Sequence, residues 1–332
     1  MKWLAQMRIK ILTVILLVLL VSACLPRSRK ETSSIAKVPI SVSTPSMTAG
    51  IGVLGDSTSD EYRADDARGG EYGETTLNWV ELLVRNRGLN FGQWGSWEEP
   101  RRAGYEYNWA RTGATIDSMI TSGQVAGLAQ QVAERKVSYV FIWIGNNDFH
   151  LKNGPYEEIY NGKLNDAELQ KRIDHLAANI EYAMDTILQA GDVKMAIVTI
   201  ADQGVAPQAK ILFPNAQKRQ RVTEAVNKLN ARIQEFAQER GVLVLDSNAV
   251  GKVLFSRVNW EGKLTFSDQK ITVLTKGNEP HHLQLEDNIG HAGTVLSGII
   301  ANSLFIEPFD DAFNLHIQLL TDEEILHNAG LQ

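Results

Sequence analysis

The chain has 332 residues, of which 44% are hydrophobic and 22% charged, with a single cysteine and a formal net charge of −6. This composition excludes a disordered chain, a collagen-like repeat and a disulfide-stapled miniprotein. A net negative charge, with no long basic run beyond the N-terminus, offers no positive surface to a phosphate backbone. We therefore expect no nucleic-acid partner.

The N-terminus has the pattern of an export signal. Three basic residues within the first ten positions precede an apolar run at 11–21 that is short for a membrane-spanning helix. Small residues then lead to Cys24, an order that resembles a bacterial lipoprotein box. The resemblance implies that 1–23 is a lipoprotein signal peptide and that Cys24 carries a lipid anchoring the protein to the cell envelope. The alternatives are an uncleaved membrane anchor and a simple secretory signal.

The rest of the chain is predicted to be a tether followed by one domain. Residues 24–47 are rich in Ser, Thr, Pro and Lys without apolar periodicity, which is typical of a flexible linker. Residues 48–332 include two loop-rich stretches, near 60–107 and 256–280, with too little periodic apolar sequence to form a second core. We expect both to be excursions from a single domain.

Short apolar runs alternate with helical patterns along this domain. The runs are rich in Val and Ile, which favours strands buried on both faces of a parallel sheet. The alternation predicts an α/β fold, a three-layer α/β/α sandwich with a flavodoxin-like, doubly wound parallel sheet. The predicted strands are 50–54, 89–92, 137–144, 193–200 and 241–246, and the predicted helices are about 77–87, 115–135, 166–190, 215–240, 292–305 and 322–329.

Four polar groups follow these elements at positions where an α/β sheet places its active site. They are Ser57 in Gly-Asp-Ser, Gly113 before a helix, Asn147 in Gly-Asn-Asn-Asp, and His291 with acidic residues before it. Taken singly, each has an ordinary structural explanation as a helix cap, a turn glycine or an Asx turn.

In this order the four groups resemble the conserved blocks of the SGNH hydrolases, the GDS(L)-type lipase and esterase superfamily. The resemblance extends from about residue 51 to residue 305. It implies that Ser57 is the nucleophile and His291 its base, and that the Ser57 N–H, the Gly113 N–H and the Asn147 amide form an oxyanion hole. No cofactor is implied.

The carboxylate that should orient His291 departs from the family spacing. The family places an Asp three residues before the His, where this chain has Asn288, while Asp287 lies four before it. A bulge at 289–290 would still bring Asp287 to the imidazole, because glycine tolerates the backbone angles that a bulge requires. Asp287 is therefore the first choice for the triad, Glu286 is the second, and a dyad assisted by Asn288 is the third.

Other histidines are weaker candidates. His281 and His282 are adjacent, and no set of further ligands surrounds them in the sequence, so we expect a solvated loop and no metal site. His150 follows the third block closely and is a candidate to line the cleft.

The predicted activity is hydrolysis of carboxylic esters through an acyl-enzyme on Ser57. Export and anchoring point to acetyl groups on envelope or extracellular glycans, or to small acyl esters. Acyl transfer to a sugar hydroxyl and a non-catalytic envelope binding protein are the alternatives. Five aromatic residues could stack on sugar rings, cover an acyl chain or simply pack a loop onto the domain; they are Trp94, Trp97, Tyr105, Tyr107 and Trp109.

Overall fold

A parallel sheet with helices on both faces forms the centre of the computed structural model. The structure describes residues 49–65, 67–152, 154–273, 276–286 and 291–332. The strands are β1 (Gly50–Gly55), β2 (Trp94–Ser96), β3 (Ala103–Tyr105), β4 (Val137–Trp143), β5 (Lys194–Val198), β6 (Leu243–Leu245), β7 (Lys263–Phe266) and β8 (Gln269–Thr272). The helices are α1 (Trp79–Arg87), α2 (Ile116–Thr121), α3 (Gln124–Ala133), α4 (Pro155–Tyr160), α5 (Asp166–Ala190), α6 (Pro207–Leu212), α7 (Ala216–Glu239), α8 (Ser247–Ser256), α9 (Thr294–Ile300), α10 (Glu307–Phe313) and α11 (Asp322–Asn328).

The central sheet has the order β1-β4-β5-β6, and each neighbouring pair is parallel. Every residue of β1 is buried, as expected for a strand covered on both faces. The strands at 50–54, 137–144, 193–200 and 241–246 are therefore confirmed, the last two in shortened form as Lys194–Val198 and Leu243–Leu245. Their carboxyl ends lie at one edge of the sheet.

Two hydrophobic cores lie on opposite faces of the sheet. One contains buried side chains of α2, α3, α5 and α7. The other contains side chains of α1, α9 and α11, with the hairpin β7-β8 packed beside them. The described residues belong to one compact unit, Thr44–Gln332. This arrangement confirms the predicted three-layer α/β/α sandwich.

Some local predictions were wrong. The predicted helix at 115–135 is split into α2 and α3, because Gly123 between them adopts a left-handed φ of 87°. Residues 89–92 form no strand, although the Asn90 carbonyl accepts a hydrogen bond of 2.8 Å from the Ile51 N–H. The chain instead forms the antiparallel pair β2-β3 a few residues later.

The helix predicted at 292–305 is longer than expected and irregular. It begins as α9, continues through a π-helical segment at Ala301–Ile306 and ends in α10. Helix α8 was not predicted, and it forms part of the cavity wall at the candidate site. Within the described ranges, no helix combines the length and the apolar character needed to cross a membrane. The predicted signal peptide, Cys24 and the tether at 24–47 lie outside the described residues.

Candidate active site

Ser57 lies in a tight turn that follows the first strand. The Asp56 side chain closes this turn by accepting a hydrogen bond of 2.9 Å from the Thr58 N–H. The Asp56 carbonyl accepts two more, each of 3.0 Å, from the N–H groups of Ser59 and Asp60. The turn places Ser57, which is half-buried, on the wall of a cavity.

Asp56 supports the turn from a buried position. Burial raises the pKa of its carboxyl group to about 6, and the nearby negative charge of Asp60 acts in the same direction. Its Oδ2 atom has no hydrogen-bond partner among the described residues. Asp56 therefore supports the turn that carries Ser57 through its Oδ1 atom and its carbonyl.

Two backbone N–H groups are available to a ligand in this cavity. Gly113 has a left-handed φ of 81°, and a Cβ built there would meet no atom within 4 Å. Among the described residues, neither the Gly113 N–H nor the Ser57 N–H donates a hydrogen bond. Both residues line the cavity. They can therefore donate to an oxygen atom held between them.

Asn147 is positioned beside Gly113 by a hydrogen bond to the backbone. Its Nδ2 atom donates to the Ala114 carbonyl over 2.9 Å. A side-chain amide carries two N–H donors, so the second N–H of Asn147 remains for a ligand. Asn147 also lines the cavity, which brings together the three predicted oxyanion donors.

Asp148, the neighbour of Asn147, connects two elements of the site. Its Oδ2 atom accepts a hydrogen bond of 3.1 Å from the Ile116 N–H at the start of α2. Burial raises the pKa of the Asp148 carboxyl to about 7. The bond fixes the loop that carries Gly113 relative to the turn after β4.

His291 is held by backbone pairing on either side of it. The His291 carbonyl accepts a hydrogen bond of 2.9 Å from the Leu285 N–H, and the Gly293 N–H donates to the Leu283 carbonyl over 2.8 Å. The imidazole lies in a mostly buried position and lines the same cavity as Ser57.

Two charged side chains contact the Nδ1 atom of His291. Glu286 Oε2 lies 3.4 Å from it, and Arg68 Nη1 lies 3.2 Å from it. Arg68 and Glu286 also form an ion pair of 2.9 Å. Glu286 is therefore a carboxylate beside the imidazole, whereas Asp287 and Asn288 lie outside the described residues.

The cavity that joins these groups has a volume of about 410 Å³, within the range of small-molecule sites. Ser57, Gly113, Asn147, His291 and Glu286 all line it. Within the described part of the chain, Ser57 Oγ makes no direct hydrogen bond to His291. Catalytic hydrogen bonds are often long in ligand-free enzymes and shorten when substrate binds.

The remaining candidates divide into residues that line the cavity and residues that do not. His150 lines it, as expected. The solvated loop expected for His281 and His282 is wrong for His282, which is buried with its Nδ1 atom 2.9 Å from Glu279. Among the described residues, no group of three or more His, Cys, Asp or Glu side chains could hold a metal ion.

The aromatic cluster packs the excursion at 60–107 onto the domain. Trp94 and Tyr105 contact each other edge to face, with their ring centroids 5.0 Å apart. Trp109 Nε1 donates a hydrogen bond of 2.9 Å to Gln131 Oε1. None of the five aromatic residues is part of the cavity wall. The structure therefore supports the packing interpretation for Tyr105, Tyr107 and Trp109, whereas Trp94 is 44% exposed.

Comparison with known proteins identifies the family to which this chain belongs. The sequence matches the family GDSL-like Lipase/Acylhydrolase over residues 51–295. The chain belongs to this family, and it is a carboxylic ester hydrolase. No curated protein matches the sequence significantly.

Solved structures of similar fold include several esterases. An extracellular lipase from Streptomyces rimosus is 15% identical, with a TM-score of 0.43, and the match covers 80% of this chain and 99% of the lipase. A family 3 carbohydrate esterase from Clostridium thermocellum is 17% identical, with a TM-score of 0.40 and coverage of 81% and 98%. An acetylxylan esterase from Geobacillus stearothermophilus is 13% identical, with a TM-score of 0.43 and coverage of 84% and 99%.

Proposed function

We propose that this hydrolase cleaves esters through an acyl-enzyme on Ser57. The observation that carries the proposal is the shared cavity, which has Ser57, Gly113, Asn147 and His291 in its wall. Two of these residues also present backbone N–H groups that have no acceptor within the described residues.

The first half of the reaction forms the acyl-enzyme. His291 accepts the hydroxyl proton of Ser57 while Oγ attacks the ester carbonyl carbon, because a serine hydroxyl is a weak nucleophile without a base. The carbonyl oxygen becomes negatively charged and accepts hydrogen bonds from Ser57 N–H, Gly113 N–H and Asn147. Each such donor contributes on the order of 3 kcal/mol to the stability of the transition state. The imidazolium then protonates the leaving alcohol as the C–O bond breaks.

The second half of the reaction returns the enzyme to its starting state. A water molecule attacks the acyl carbon while His291 accepts a proton from it, and the carboxylic acid leaves as Ser57 Oγ regains its proton. A neighbouring carboxylate must hold Nδ1–H of the imidazole during both steps. For this role we propose Asp287, as the sequence suggests, with Glu286 offsetting the charge of Arg68.

For the location, we propose export and lipid attachment through Cys24, with envelope or extracellular esters as the substrate pool. The basis is the N-terminal sequence pattern. Radiolabelled fatty acid should be incorporated into the wild-type protein and not into Cys24→Ser, and the variant should leave the membrane fraction. A labelled Cys24→Ser protein would contradict the anchor.

Ester hydrolysis by Ser57 can be tested with a p-nitrophenyl acetate assay. Ser57→Ala should abolish nitrophenol release, whereas Ser122→Ala should not, because Ser122 is exposed and outside the cavity wall. Equal release by wild type and Ser57→Ala would contradict the acyl-enzyme on Ser57. Acylated sugar formed in the presence of added glycan would instead identify an acyltransferase.

A further inference from the structure

Apolar side chains of two helices line the same cavity as the reacting groups, and we call this part of the cavity the apolar arm. One wall is the face of α8 that carries Val250, Leu254 and Phe255. Val250 and Leu254 are four residues apart, so they lie on one side of the helix. Leu254 is buried in the core, and Val250 and Phe255 are partly buried against that core, so this face of α8 contributes both to the core and to the cavity wall.

The opposite wall belongs to α9 and its π-helical continuation. Leu296, Ile300 and Leu304 recur every four residues and all line the cavity. From Leu296 to Ile300 the helix rises about 6 Å at roughly 1.5 Å per residue, and the π-helical segment extends this row of side chains to Leu304. The length of this row suits a medium-length acyl chain such as octanoyl and greatly exceeds an acetyl group.

The arm begins next to the groups that would react. The cavity wall includes Trp143, the last residue of β4 and four residues before the proposed oxyanion donor Asn147. On the other side, His291 and Ala292 line the cavity directly before α9 begins. An ester carbonyl placed at Ser57 would therefore have its acyl chain beside the apolar arm.

We infer that the substrates of this site are esters of medium-length fatty acids, whose acyl chains occupy the apolar arm between α8 and α9. The inference rests on the proposed acyl-enzyme on Ser57 and specifies its acyl group. Burial of each additional methylene group is favourable, so kcat/KM should rise from acetate through butyrate to octanoate. Acetyl esters would leave the arm unfilled.

Gly251 provides a variant that fills the arm with little risk to the fold. It lies on α8, lines the cavity, and a Cβ built there meets no atom within 4 Å. Replacing a helical glycine also removes a residue that weakens helices. Gly251→Phe is therefore the test variant, and Val253→Phe is its control, because Val253 lies on the same helix and is 62% exposed.

The experiment measures kcat/KM for p-nitrophenyl acetate and octanoate with all three proteins. Wild type and Val253→Phe should have a higher kcat/KM for octanoate than for acetate. Gly251→Phe should lower the octanoate-to-acetate ratio of kcat/KM by roughly ten-fold or more, which corresponds to the loss of about two buried methylene groups. A wild-type preference for acetate, or a ratio unchanged in Gly251→Phe, would overturn the inference. Leu254→Trp repeats the test from another position, and thermal unfolding checks that each variant is folded.

A binding measurement separates this inference from the proposed function. Titration calorimetry of octanoate into Ser57→Ala should show binding that Gly251→Phe weakens in the same background. Binding without any ester hydrolysis by the wild type would contradict the acyl-enzyme and retain the arm. Hydrolysis of p-nitrophenyl acetate without octanoate binding would support the acyl-enzyme and contradict the inferred acyl-chain site.

Discussion

Arg68 Nη1 lies 3.2 Å from Nδ1 of His291, and the same nitrogen pairs with Glu286 over 2.9 Å. A guanidinium group can only donate hydrogen bonds. A bond from Arg68 therefore requires a lone pair on Nδ1 and places the imidazole proton on Nε2. Catalysis through Nε2 requires the opposite tautomer, with Nδ1–H facing a carboxylate. His291 can therefore act as a base through Nε2 only when a carboxylate replaces Arg68 at Nδ1, and Glu286, which pairs with Arg68, offsets the guanidinium charge beside the ring.

The first prediction concerns that balance. Glu286→Gln should lower kcat by roughly ten-fold or more, because the carboxylate that offsets the positive charge of Arg68 beside the imidazolium is then lost. Arg68→Met should restore much of the lost activity when combined with Glu286→Gln. Steady-state kinetics of the two single variants and the double variant measure this coupling. A double variant as slow as Glu286→Gln would identify Glu286 as the residue that orients His291.

The second prediction concerns Asp287. Asp287→Asn should reduce kcat by about 10³-fold to 10⁴-fold, because an amide stabilises the wrong tautomer of the imidazole. Asn288→Ala is the matched control and should keep most of the activity, and both variants should unfold at the wild-type temperature. A larger loss in Asn288→Ala would assign the orienting role to that side chain.

The third prediction compares two glycines with similar backbone angles. Gly113 and Gly123 have φ values of 81° and 87°, and a Cβ at either position meets no atom within 4 Å. Alanine at each should cost about 1 to 2 kcal/mol in unfolding free energy. Only Gly113→Ala should also lower kcat, since relaxation of its backbone turns the N–H away from the substrate oxygen. Equal kinetic effects in both variants would exclude an oxyanion role for Gly113.

The fourth prediction concerns stability and pH. Burial raises the pKa of Glu61 to about 8, from an ordinary value of 4.5. The folded protein therefore holds this proton more tightly than the unfolded chain, and its stability falls as the pH rises from about 4.5 to about 8. Glu61 does not line the cavity.

Glu61→Gln should remove this part of the pH dependence. The glutamine oxygen can still accept the hydrogen bond of 3.1 Å from the Tyr105 N–H. Urea unfolding at pH 5 and pH 9 should show a smaller difference in the variant than in the wild type, with Glu98→Gln as the exposed control. The prediction is contradicted if the wild type is more stable at pH 9 than at pH 5 and Glu61→Gln loses that difference.

Much of the fold follows from local sequence patterns. Helix α5 was predicted at 166–190 and has those bounds, since Asn165 and Glu168 form a capping box ahead of a long apolar period. The break at Gly123 was missed, because a glycine within a helical pattern is compatible with either outcome. The π-helical segment at Ala301–Ile306 leaves no signal in residue spacing.

The site was only partly accessible to the same reasoning. Ser57, Gly113, Asn147 and His291 line the cavity, and the sequence singled them out because their order resembles the blocks of a known family. Arg68 could not be found in this way, as it lies 223 residues from His291 in the chain and in an excursion without periodicity. The apolar residues of α8 and α9 were missed as well, since a cavity wall and a packed core have the same hydrophobic pattern.

The most direct test of the account is covalent labelling with a serine-directed alkyl fluorophosphonate, followed by peptide mass spectrometry. We expect one adduct on Ser57, formed far more slowly in His291→Ala and at the wild-type rate in His175→Ala, whose histidine is exposed and pairs with Asp117. An adduct on another residue, or labelling of Ser57 that does not depend on His291, would contradict the proposed mechanism.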